Sequence, residues 1–319
     1  MTKTFKKYDV TQCVLYKCRN KRKLADILQI NNCDLNKLSK SVRYYTFYKN
    51  KQDGSSREIN APELNLKKIQ KRILNLIEKI NRPQYLMSGE KGKSYIDNGK
   101  LHQQSSYFLT VDIKKFYDNC NRESVYRFFI DYLKTSSDIA GVLSDIVTHK
   151  KGIPTGSPTS QLIAYYGYRE MFAEINNISE QHGCLFSLYV DDMTFSSKEP
   201  IIFEKLKNEI DIILRKYNHR PKYSKVKQYS KNDCKPVTGV IISKNHEILI
   251  PNKLRYKIYT GFQEIKKFDM NTQLSAEQIK FIDSLRGQLV AAKNIDNTAF
   301  PNVSESFKDI IENHKRHKG

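Results

Sequence analysis

The chain has 319 residues and a formal net charge of +21, from 55 Lys and Arg residues against 34 Asp and Glu residues. Such an excess disfavours a neutral small molecule as the main partner and favours an anionic polymer. No stretch has the length of a membrane span, and the polar N-terminus lacks the apolar core of a signal peptide. The six Cys residues show no paired spacing typical of a zinc site. We therefore expect a cytoplasmic protein with reduced thiols, no membrane contact, and room for two or three subdomains.

Basic residues are concentrated in two stretches of the chain. One crowds the N-terminus and comprises Lys3, Lys6, Lys7, Lys17, Arg19, Lys21, Arg22 and Lys23. The other has tyrosines interleaved and comprises Arg215, Lys216, Arg220, Lys222, Lys225, Lys227, Lys231 and Lys235. Cationic groups meet phosphates while aromatic rings stack on bases, so the second stretch favours nucleic acid. RNA and a partner protein both fit the charge of the N-terminal stretch, and RNA is favoured.

The first third of the chain predicts a helical start, a hairpin and a second helix. Residues 1–40 are predicted to be helical, with an apolar stripe of Leu24, Ile27, Leu28 and Ile30. Residues 42–62 predict a β-hairpin with a turn at Asp53-Gly54. Leu66 to Ile80 has apolar residues at helical spacing. Three glycines then predict a loop-rich region, at Gly89, Gly92 and Gly99.

The remainder predicts a mixed α/β centre followed by an all-α end. An apolar strand ends at Asp112, and turn residues mark positions 153–160. The other predicted elements are, in chain order, a helix from about 121 to 135, a helix from about 160 to 175, a hairpin around 189–192, a helix from 204 to 217, a short hairpin at 237–242 and 247–250, and about three helices beyond Pro251.

Tyr189-Val190-Asp191-Asp192 predicts a hairpin with an acidic pair at its tip, because both flanks are apolar and favour β structure. Adjacent carboxylates repel each other and resist burial unless a cation joins them. Although an isolated Asp-Asp pair is most often only a turn, the strand ending at Asp112 supplies a third carboxylate. Carboxylates on neighbouring strand ends could hold two Mg²⁺ ions about 3.5–4 Å apart, as phosphoryl transfer requires.

In their order along the chain, these motifs resemble the reverse transcriptases, and the bacterial retron type among them, over roughly residues 40 to 290. Arg57 resembles the fingers residue that meets the incoming triphosphate, and Asp112 resembles the first palm motif. The other matching positions are Pro154-Thr155-Gly156-Ser157-Pro158 as the loop bordering template and nucleotide, Tyr189 to Asp192 as the catalytic hairpin, Lys225 near the nucleotide phosphates, Val237-Thr238-Gly239 as the closing palm hairpin, and Arg286-Gly287 in the thumb.

The resemblance implies an α/β (α+β) right-hand polymerase fold with fingers, a mixed palm containing an antiparallel catalytic sheet, and an all-α thumb. It divides the chain into a basic N-terminal helical segment at 1–40, fingers at 41–105, a palm at 106–250 with a finger-like insertion at about 120–155, and a helical thumb at 251–319.

Two short elements resemble the retron branch specifically. Asn98-Gly99-Lys100-Leu101-His102 is similar to the retron Asn-Ala-x-x-His element, and Val237-Thr238-Gly239 matches the retron Val-Thr-Gly triplet. The resemblance implies RNA binding by Asn98, His102, Val237, Thr238 and Gly239.

The resemblance also implies the roles of the site residues in RNA-directed DNA synthesis. Asp112, Asp191 and Asp192 would be catalytic, and with the Ile113 carbonyl they would coordinate two Mg²⁺ ions, for which Mn²⁺ can substitute. The nucleotide would be bound by Arg57, Tyr117, Thr155, Gly156 and Lys225, with Tyr117 as the gate against a ribose 2′-hydroxyl. The primer or template would be contacted by Tyr189, Val190, Ser157 and Pro158.

For partners, the resemblance implies dNTPs, a cognate noncoding RNA of the msr–msd type and its RNA–DNA hybrid product. Synthesis would start from an internal guanosine 2′-hydroxyl and yield a single-stranded DNA joined to RNA (msDNA). A host RNase H would remove template RNA, and a separate effector protein would act with the enzyme in phage defence. Two alternatives stay open: another bacterial reverse transcriptase, of the abortive-infection or diversity-generating type, and a catalytically silent RNA-binding protein.

The chain departs from the family pattern at three positions. Thr155 stands where many reverse transcriptases carry Gln, whose longer amide could reach across the nucleotide pocket. Gly99 replaces Ala in the retron element and is expected to loosen the backbone. Val190 replaces Ala in the catalytic hairpin and is expected to tighten the contact with the primer end.

Overall fold

The computed structural model describes residues 6–31, 35, 44–50, 54, 56–150, 152–268 and 274–307. They form two compact units. The first contains the described parts of Met1–Ser94, Leu109–Ser197 and Ile201–Gln228, and the second those of Tyr95–Phe108, Lys198–Pro200 and Tyr229–Gly319. Among the described helices, none combines the length and the apolar composition that crossing a membrane requires.

Helices and short strands alternate through the centre, and helices alone follow. The helices are α1 Lys21–Leu28, α2 Leu64–Ile77, α3 Tyr95–His102, α4 Phe116–Asn119, α5 Arg122–Arg127, α6 Ser137–Val147, α7 Ser160–Gly167, α8 Arg169–Gln181, α9 Phe203–Lys216, α10 Asn252–Ile265 and α11 Ala276–Ile295. The strands are β1 Tyr44–Asn50, β2 Ser56–Pro62, β3 Tyr107–Asp112, β4 Leu185–Tyr189, β5 Asp192–Ser197, β6 Lys227–Tyr229, β7 Lys235–Val237, β8 Val240–Ile242 and β9 Ile248–Leu249.

The predicted hairpin at 42–62 is confirmed as the antiparallel pair of β1 and β2, with Lys49 opposite Arg57. Gly54 in its connection has φ +79°, a conformation that favours glycine. Asp53, predicted in the same turn, lies outside the described residues. The hairpin carries exposed aromatic side chains, among them Tyr45 and Tyr48.

The central sheet of the described residues has the strand order β4-β5-β3-β6. Most of its apolar side chains are buried, although Leu185 is exposed, and Phe186 of β4 stacks on Phe195 of β5 with ring centroids 5.0 Å apart. Helix α9 buries Leu206 and Ile210 and leaves its charged side chains outside, as its helical periodicity predicts. The strand order places the end of β3 beside the start of β5, which positions the site described below.

The second unit contains a small sheet, β7-β8-β9, and the C-terminal helices. Val237, Val240 and Ile242 pack with Phe108 and with Ile96 of α3 in one core. A larger core in α10 and α11 comprises Ile258, Phe262, Ile265, Ile282, Leu285 and Leu289 among its buried residues. The predicted all-α end is confirmed over 252–268 and 274–307, apart from the connecting residues.

Several predicted elements differ from the structure. Residues 6–31 contain helix α1 and a short 3₁₀ turn rather than continuous helix, because the Asn20 side chain caps α1 by accepting from the N–H groups of Arg22 and Lys23. The predicted helix at about 121–135 is α5 followed by a π turn at Phe128–Tyr132. The predicted helix at 160–175 is interrupted at Tyr168, whose hydroxyl hydrogen-bonds the Asn119 carbonyl.

Two further corrections concern the second unit. Gly99 lies inside helix α3 and not in a loop. The predicted hairpin at 237–250 is a three-stranded sheet that begins at Lys235. Its first turn is tight because Thr238 and Gly239 both adopt positive φ, +41° and +102°.

Candidate active site

The acidic hairpin is formed by β4 and β5, with Tyr189 paired to Asp192 and a two-residue turn of Val190 and Asp191. Val190 has φ +62°, which is strained for a β-branched residue and typical of the first position of a tight hairpin turn. The Val190 N–H donates to Ser88 Oγ at 2.9 Å, and the Met87 N–H donates to the Leu188 carbonyl at 3.0 Å. The segment around Ser88 therefore supports the strained turn.

Asp112 reaches the hairpin because β3 and β5 are neighbours in the sheet. The N–H of Ile113, next to Asp112, donates to the backbone carbonyl of Asp191 at 3.1 Å. On its other side, the Asp112 carbonyl accepts from the Lys222 N–H at 2.7 Å. The backbone thus joins three segments that are far apart in sequence, and two of them carry the predicted catalytic carboxylates.

The electrostatics of the hairpin tip favour a cation. Burial, and after it the negative charge of Asp112, raises the pKa of Asp191. The Asp192 residue reaches solvent, yet the protein packed around its carboxylate, together with Asp191 and Asp112, raises its pKa to about 6. Both carboxylates would be stabilised in their charged form by a bound metal ion.

Lys225 already supplies positive charge in this structure. Its Nζ donates to Asp112 Oδ2 at 2.7 Å, and this hydrogen bond is the main cause that raises the pKa of Lys225. The lysine ends the short 3₁₀ turn Tyr223–Lys225 and remains exposed. An Asp112 oxygen that would serve a metal is therefore paired with an ammonium group.

The donor set suits magnesium in type, although the part of the chain that the structure describes contains no ready-made metal cage. Carboxylate oxygens are ligands that Mg²⁺ prefers, and in polymerase sites the ion is held by one or two carboxylates plus substrate phosphates. Across the described ranges, no three His, Cys, Asp or Glu side chains converge as a preformed metal site. Asp112, Asp191 and Asp192 fit an ion whose remaining ligands come with the nucleotide.

Arg57 and Tyr117 lie near the acidic cluster. The positive charge of Arg57 lowers the pKa of Asp191, as a smaller effect than burial. Burial raises the pKa of Tyr117, and the next contribution is the negative charge of Asp191. Tyr117 lies in the single-turn helix α4 and is half-buried. Its ring is 5.6 Å from that of Phe116, which packs against His219 and Phe172.

The loop Pro154–Thr159 lies against the β1–β2 hairpin. Thr155 Oγ1 donates to the Glu58 carbonyl at 2.9 Å, one residue beyond Arg57. Ser157 Oγ donates to Gln70 Oε1 at 2.8 Å. The structure therefore places Thr155 and Gly156 against the backbone of strand β2, which carries Arg57.

The two elements that resemble retrons meet each other inside the second unit. Asn98 Nδ2 donates to Thr238 Oγ1 at 2.8 Å across 140 positions of sequence. Asn98, His102 and Val237 are buried, Thr238 is half-buried and Gly239 is exposed. Burial lowers the pKa of His102 to about 3, so the ring is neutral at physiological pH. RNA contact by these residues stays a prediction.

Three groups that support the site have little or no signal in the sequence. Gln70 carried a usable signal, because it is a polar residue on the otherwise apolar face of α2, where it is fully buried. The hydroxyl of Ser88 and the backbone of the Arg220–Lys222 segment gave none, since both act through the main chain of distant residues.

Comparison with known proteins gives one family and several relatives. Residues 49–281 match the family model "Reverse transcriptase (RNA-dependent DNA polymerase)". The chain is 30% identical over 166 residues to the retron Se72 reverse transcriptase of Salmonella heidelberg, covering 52% of this chain and 43% of that protein. It is 26% identical over 157 residues to the retron Ec86 reverse transcriptase of Escherichia coli, covering 49% of each. The match thus spans less than half the length of these two relatives.

The fold is also found in a solved structure. Telomerase from Candida albicans, in complex with a fragment of telomeric RNA, superposes on 87% of this chain and 59% of its own with a TM-score of 0.51. At 11% sequence identity, this likeness supports a right-hand polymerase fold alone.

Proposed function

This chain belongs to the reverse transcriptase family, and on that premise we propose that it is a retron reverse transcriptase, an RNA-directed DNA polymerase that copies part of a cognate structured RNA into single-stranded DNA. The observation that carries the proposal is the hydrogen bond between the Ile113 N–H and the Asp191 carbonyl, which fixes the two acidic strand ends side by side. Asp112, Asp191 and Asp192 serve as the catalytic carboxylates.

Asp112 and Asp191 would hold two divalent metal ions, with help from Asp192 and the Ile113 carbonyl. The ions would be Mg²⁺, for which Mn²⁺ can substitute. When bound, they supply activation of the primer hydroxyl and neutralise the charge of the triphosphate and of the leaving pyrophosphate. The raised pKa values of Asp191 and Asp192 support this assignment, because burial and, after it, the neighbouring carboxylates disfavour their charged forms, which a bound cation would stabilise.

The surrounding residues bind and select the nucleotide. Arg57 provides a guanidinium for charge-assisted hydrogen bonds to the phosphates. After its ammonium group leaves Asp112, Lys225 binds the same phosphates or donates a proton to pyrophosphate. Tyr117, held between Phe116 and the acidic cluster, excludes nucleotides that carry a ribose 2′-hydroxyl. Tyr189, Val190, Ser157 and Pro158 border the primer and template.

The retron assignment is supported by relatives of that type and by two elements in the second unit. Because the side chains of Asn98, His102 and Val237 are buried, Thr238 and Gly239 at the β7–β8 turn are the members that present surface to an RNA. Asn98 holds that turn through Thr238. The predicted segments keep their roles in the proposal, with the N-terminal segment at 1–40, fingers at 41–105, palm at 106–250 and thumb at 251–319.

In the cell, the proposed enzyme acts in the cytoplasm on an msr–msd type RNA with dNTPs as substrates. It starts from a guanosine 2′-hydroxyl and leaves an RNA–DNA hybrid whose template is removed by a host RNase H. A separate effector protein couples the product to phage defence. The net charge of +21 supports a nucleic-acid partner.

The test is to purify the protein from cells that carry its native locus and to sequence the nucleic acid that copurifies. The proposal expects a short single-stranded DNA joined to RNA through a 2′–5′ branch. Unbranched or protein-linked DNA would assign the protein to another group of bacterial reverse transcriptases. RNA alone, with no DNA made after addition of Mg²⁺ and dNTPs, would favour a catalytically silent RNA-binding protein.

A further inference from the structure

The nucleotide loop is attached to the fingers hairpin at its backbone. Thr155 Oγ1 donates to the Glu58 carbonyl at 2.9 Å, although the two residues are 97 positions apart. At Gly156, an added Cβ would lie 2.6 Å from the carbonyl oxygen of Asn60. Strand β2 and the loop therefore lie in direct main-chain contact, which a side chain at position 156 would prevent.

A buried glutamine makes a second connection between the same loop and the hairpin. Gln70 is fully buried and accepts a hydrogen bond from Ser157 Oγ at 2.8 Å. Its Nε2 donates to the Tyr44 hydroxyl at 2.8 Å and to the Ile146 carbonyl at 2.8 Å. Tyr44 starts strand β1, so the loop is linked to both strands of the hairpin. A buried amide whose donors and acceptor all have hydrogen-bond partners fixes the geometry of the groups around it.

These contacts determine the point from which the Arg57 side chain projects from the hairpin. Arg57 precedes Glu58, and side chains alternate along a strand, so Arg57 points away from the face that carries Glu58 and Asn60. Arg57 is paired with Lys49 in the strand ladder, and its guanidinium has no hydrogen-bond or ion-pair partner among the described residues, so the backbone of β2 sets where the side chain begins. Exposed two-stranded hairpins are marginally stable by themselves. An anchor at position 58 therefore restricts the motion of the guanidinium.

We propose that Thr155 is a positioning residue, whose hydroxyl anchors strand β2 to the nucleotide loop and so holds Arg57 ready for the triphosphate of the incoming dNTP. This inference rests on the proposed DNA synthesis. It also assigns a use to the Thr that stands in place of the family's usual Gln. A Thr hydroxyl donates at short range to the hairpin backbone, whereas a longer amide would extend past it. The loop then contributes to nucleotide recognition by positioning Arg57, and not through direct contact of the Thr155 side chain with the nucleotide.

The kinetic test compares Thr155→Val, which keeps the shape and removes the hydroxyl, with Thr155→Ser, which keeps the hydroxyl. Loss of one hydrogen bond predicts an increase of about three- to ten-fold in the KM for dNTP in Thr155→Val, with kcat changed less than about two-fold. Thr155→Ser is expected to restore the wild-type KM. Thr11→Val is the matched control, because it removes a Thr hydroxyl that bonds to Asp9 in its own turn, far from the loop in sequence. Equal KM values for the Val and Ser variants would overturn the proposal.

A double-mutant cycle tests whether Thr155 acts through Arg57. In an Arg57→Ala background, Thr155→Val is expected to change the KM by less than about 1.5-fold, because the residue that it positions is absent. An undiminished effect of Thr155→Val in that background would mean that Thr155 acts on the nucleotide by another route, which contradicts the proposal.

A measurement without nucleotide separates this inference from the proposed function. Hydrogen exchange of the amides in β1 and β2 is expected to be faster in Thr155→Val than in Thr155→Ser or Thr11→Val. Unchanged exchange in Thr155→Val, in a protein that makes DNA, would refute the anchor and leave the function. Faster exchange in a protein that makes no DNA would refute the function and, with it, the role toward dNTP.

Discussion

The Nζ of Lys225 lies 2.7 Å from Oδ2 of Asp112, so a cation occupies one oxygen of the carboxylate that would bind metal. The lysine side chain is 54% exposed and that of the aspartate 13% exposed, so the lysine has solvent to move into while the aspartate is largely enclosed. A metal ion at Asp112 would therefore compete with Lys225 for this carboxylate. Movement of the ammonium from the carboxylate to an incoming phosphate would couple nucleotide binding to the formation of the metal site.

We expect Lys225→Ala to bind Mn²⁺ more tightly than the wild type in the absence of nucleotide, by about three- to ten-fold, because the competing ammonium group is gone. The same variant is expected to have a lower kcat, since the phosphates lose a cation. Mn²⁺ binding is measured by calorimetry. Lys222→Ala is the matched control, because Lys222 is a nearby exposed lysine that contacts Asp112 only through its backbone. An equal gain in Mn²⁺ affinity in both variants would show that only the net charge affects Mn²⁺ binding, which contradicts competition for Asp112.

Asp191→Asn is expected to lower DNA synthesis by more than about 100-fold, since even groups that merely support a metal ligand are worth 10- to 100-fold. The fold is expected to stay intact, because the backbone carbonyl of Asp191 still accepts from the Ile113 N–H. Primer extension and circular dichroism measure the two quantities. Asp118→Asn serves as the control because Asp118 is an exposed acid in the neighbouring helix α4. Synthesis that persists in Asp191→Asn would remove this residue from the metal site.

The contribution of Asp192 to the stability of the metal-free protein is expected to fall as the pH rises from about 4 to about 6. The protein packed around its carboxylate is the main cause that raises its pKa from 3.8 to about 6, so in this range the folded state keeps this proton while the unfolded state releases it. The raised pKa of Asp191 acts in the same direction, whereas the lowered pKa values of the buried His102 and His219 make stability rise with pH. The effect is therefore measured as a difference: the free energy of urea unfolding of Asp192→Asn minus that of the wild type is expected to increase from about pH 4 to about pH 6. Saturating Mg²⁺ is expected to remove that increase.

Local sequence patterns predict the individual helices and strands, whereas the order of the strands in the sheet decides how they form a site. The alternating residues of 42–62 and the apolar spacing of 204–217 predict the hairpin and α9 because those signals are complete within a short window. The placement of β3 between β5 and β6 depends on pairings between segments about eighty or more positions apart, which no local pattern contains. The three acids were therefore predictable as a set, but the Ile113–Asp191 hydrogen bond and the Lys225–Asp112 pair were not.

The loop prediction at Gly99 is wrong for a related reason. A glycine with other glycines nearby in the sequence indicates a loop, yet Gly99 lies in helix α3, where strand β8 approaches so closely that an added side chain would collide with Val240. That requirement is visible only after Val240 is placed in space. The expected loosening of the backbone stays a prediction, and the glycine at this position also allows close packing.

Gly99→Ala is expected to destabilise the second unit, because the added Cβ would lie 2.4 Å from Cγ2 of Val240. Overpacking of this kind costs about 1–3 kcal/mol, measured as a loss in the free energy of unfolding. Gly287→Ala is the matched control within the unit: it lies in helix α11, and nothing lies within 4 Å of an added Cβ, so a gain of about 0.5–1 kcal/mol is expected. Val240→Ala in the Gly99→Ala background is expected to recover part of the loss, because it removes the colliding methyl groups. Loss of stability in Gly99→Ala that Val240→Ala does not reduce would contradict the packing argument.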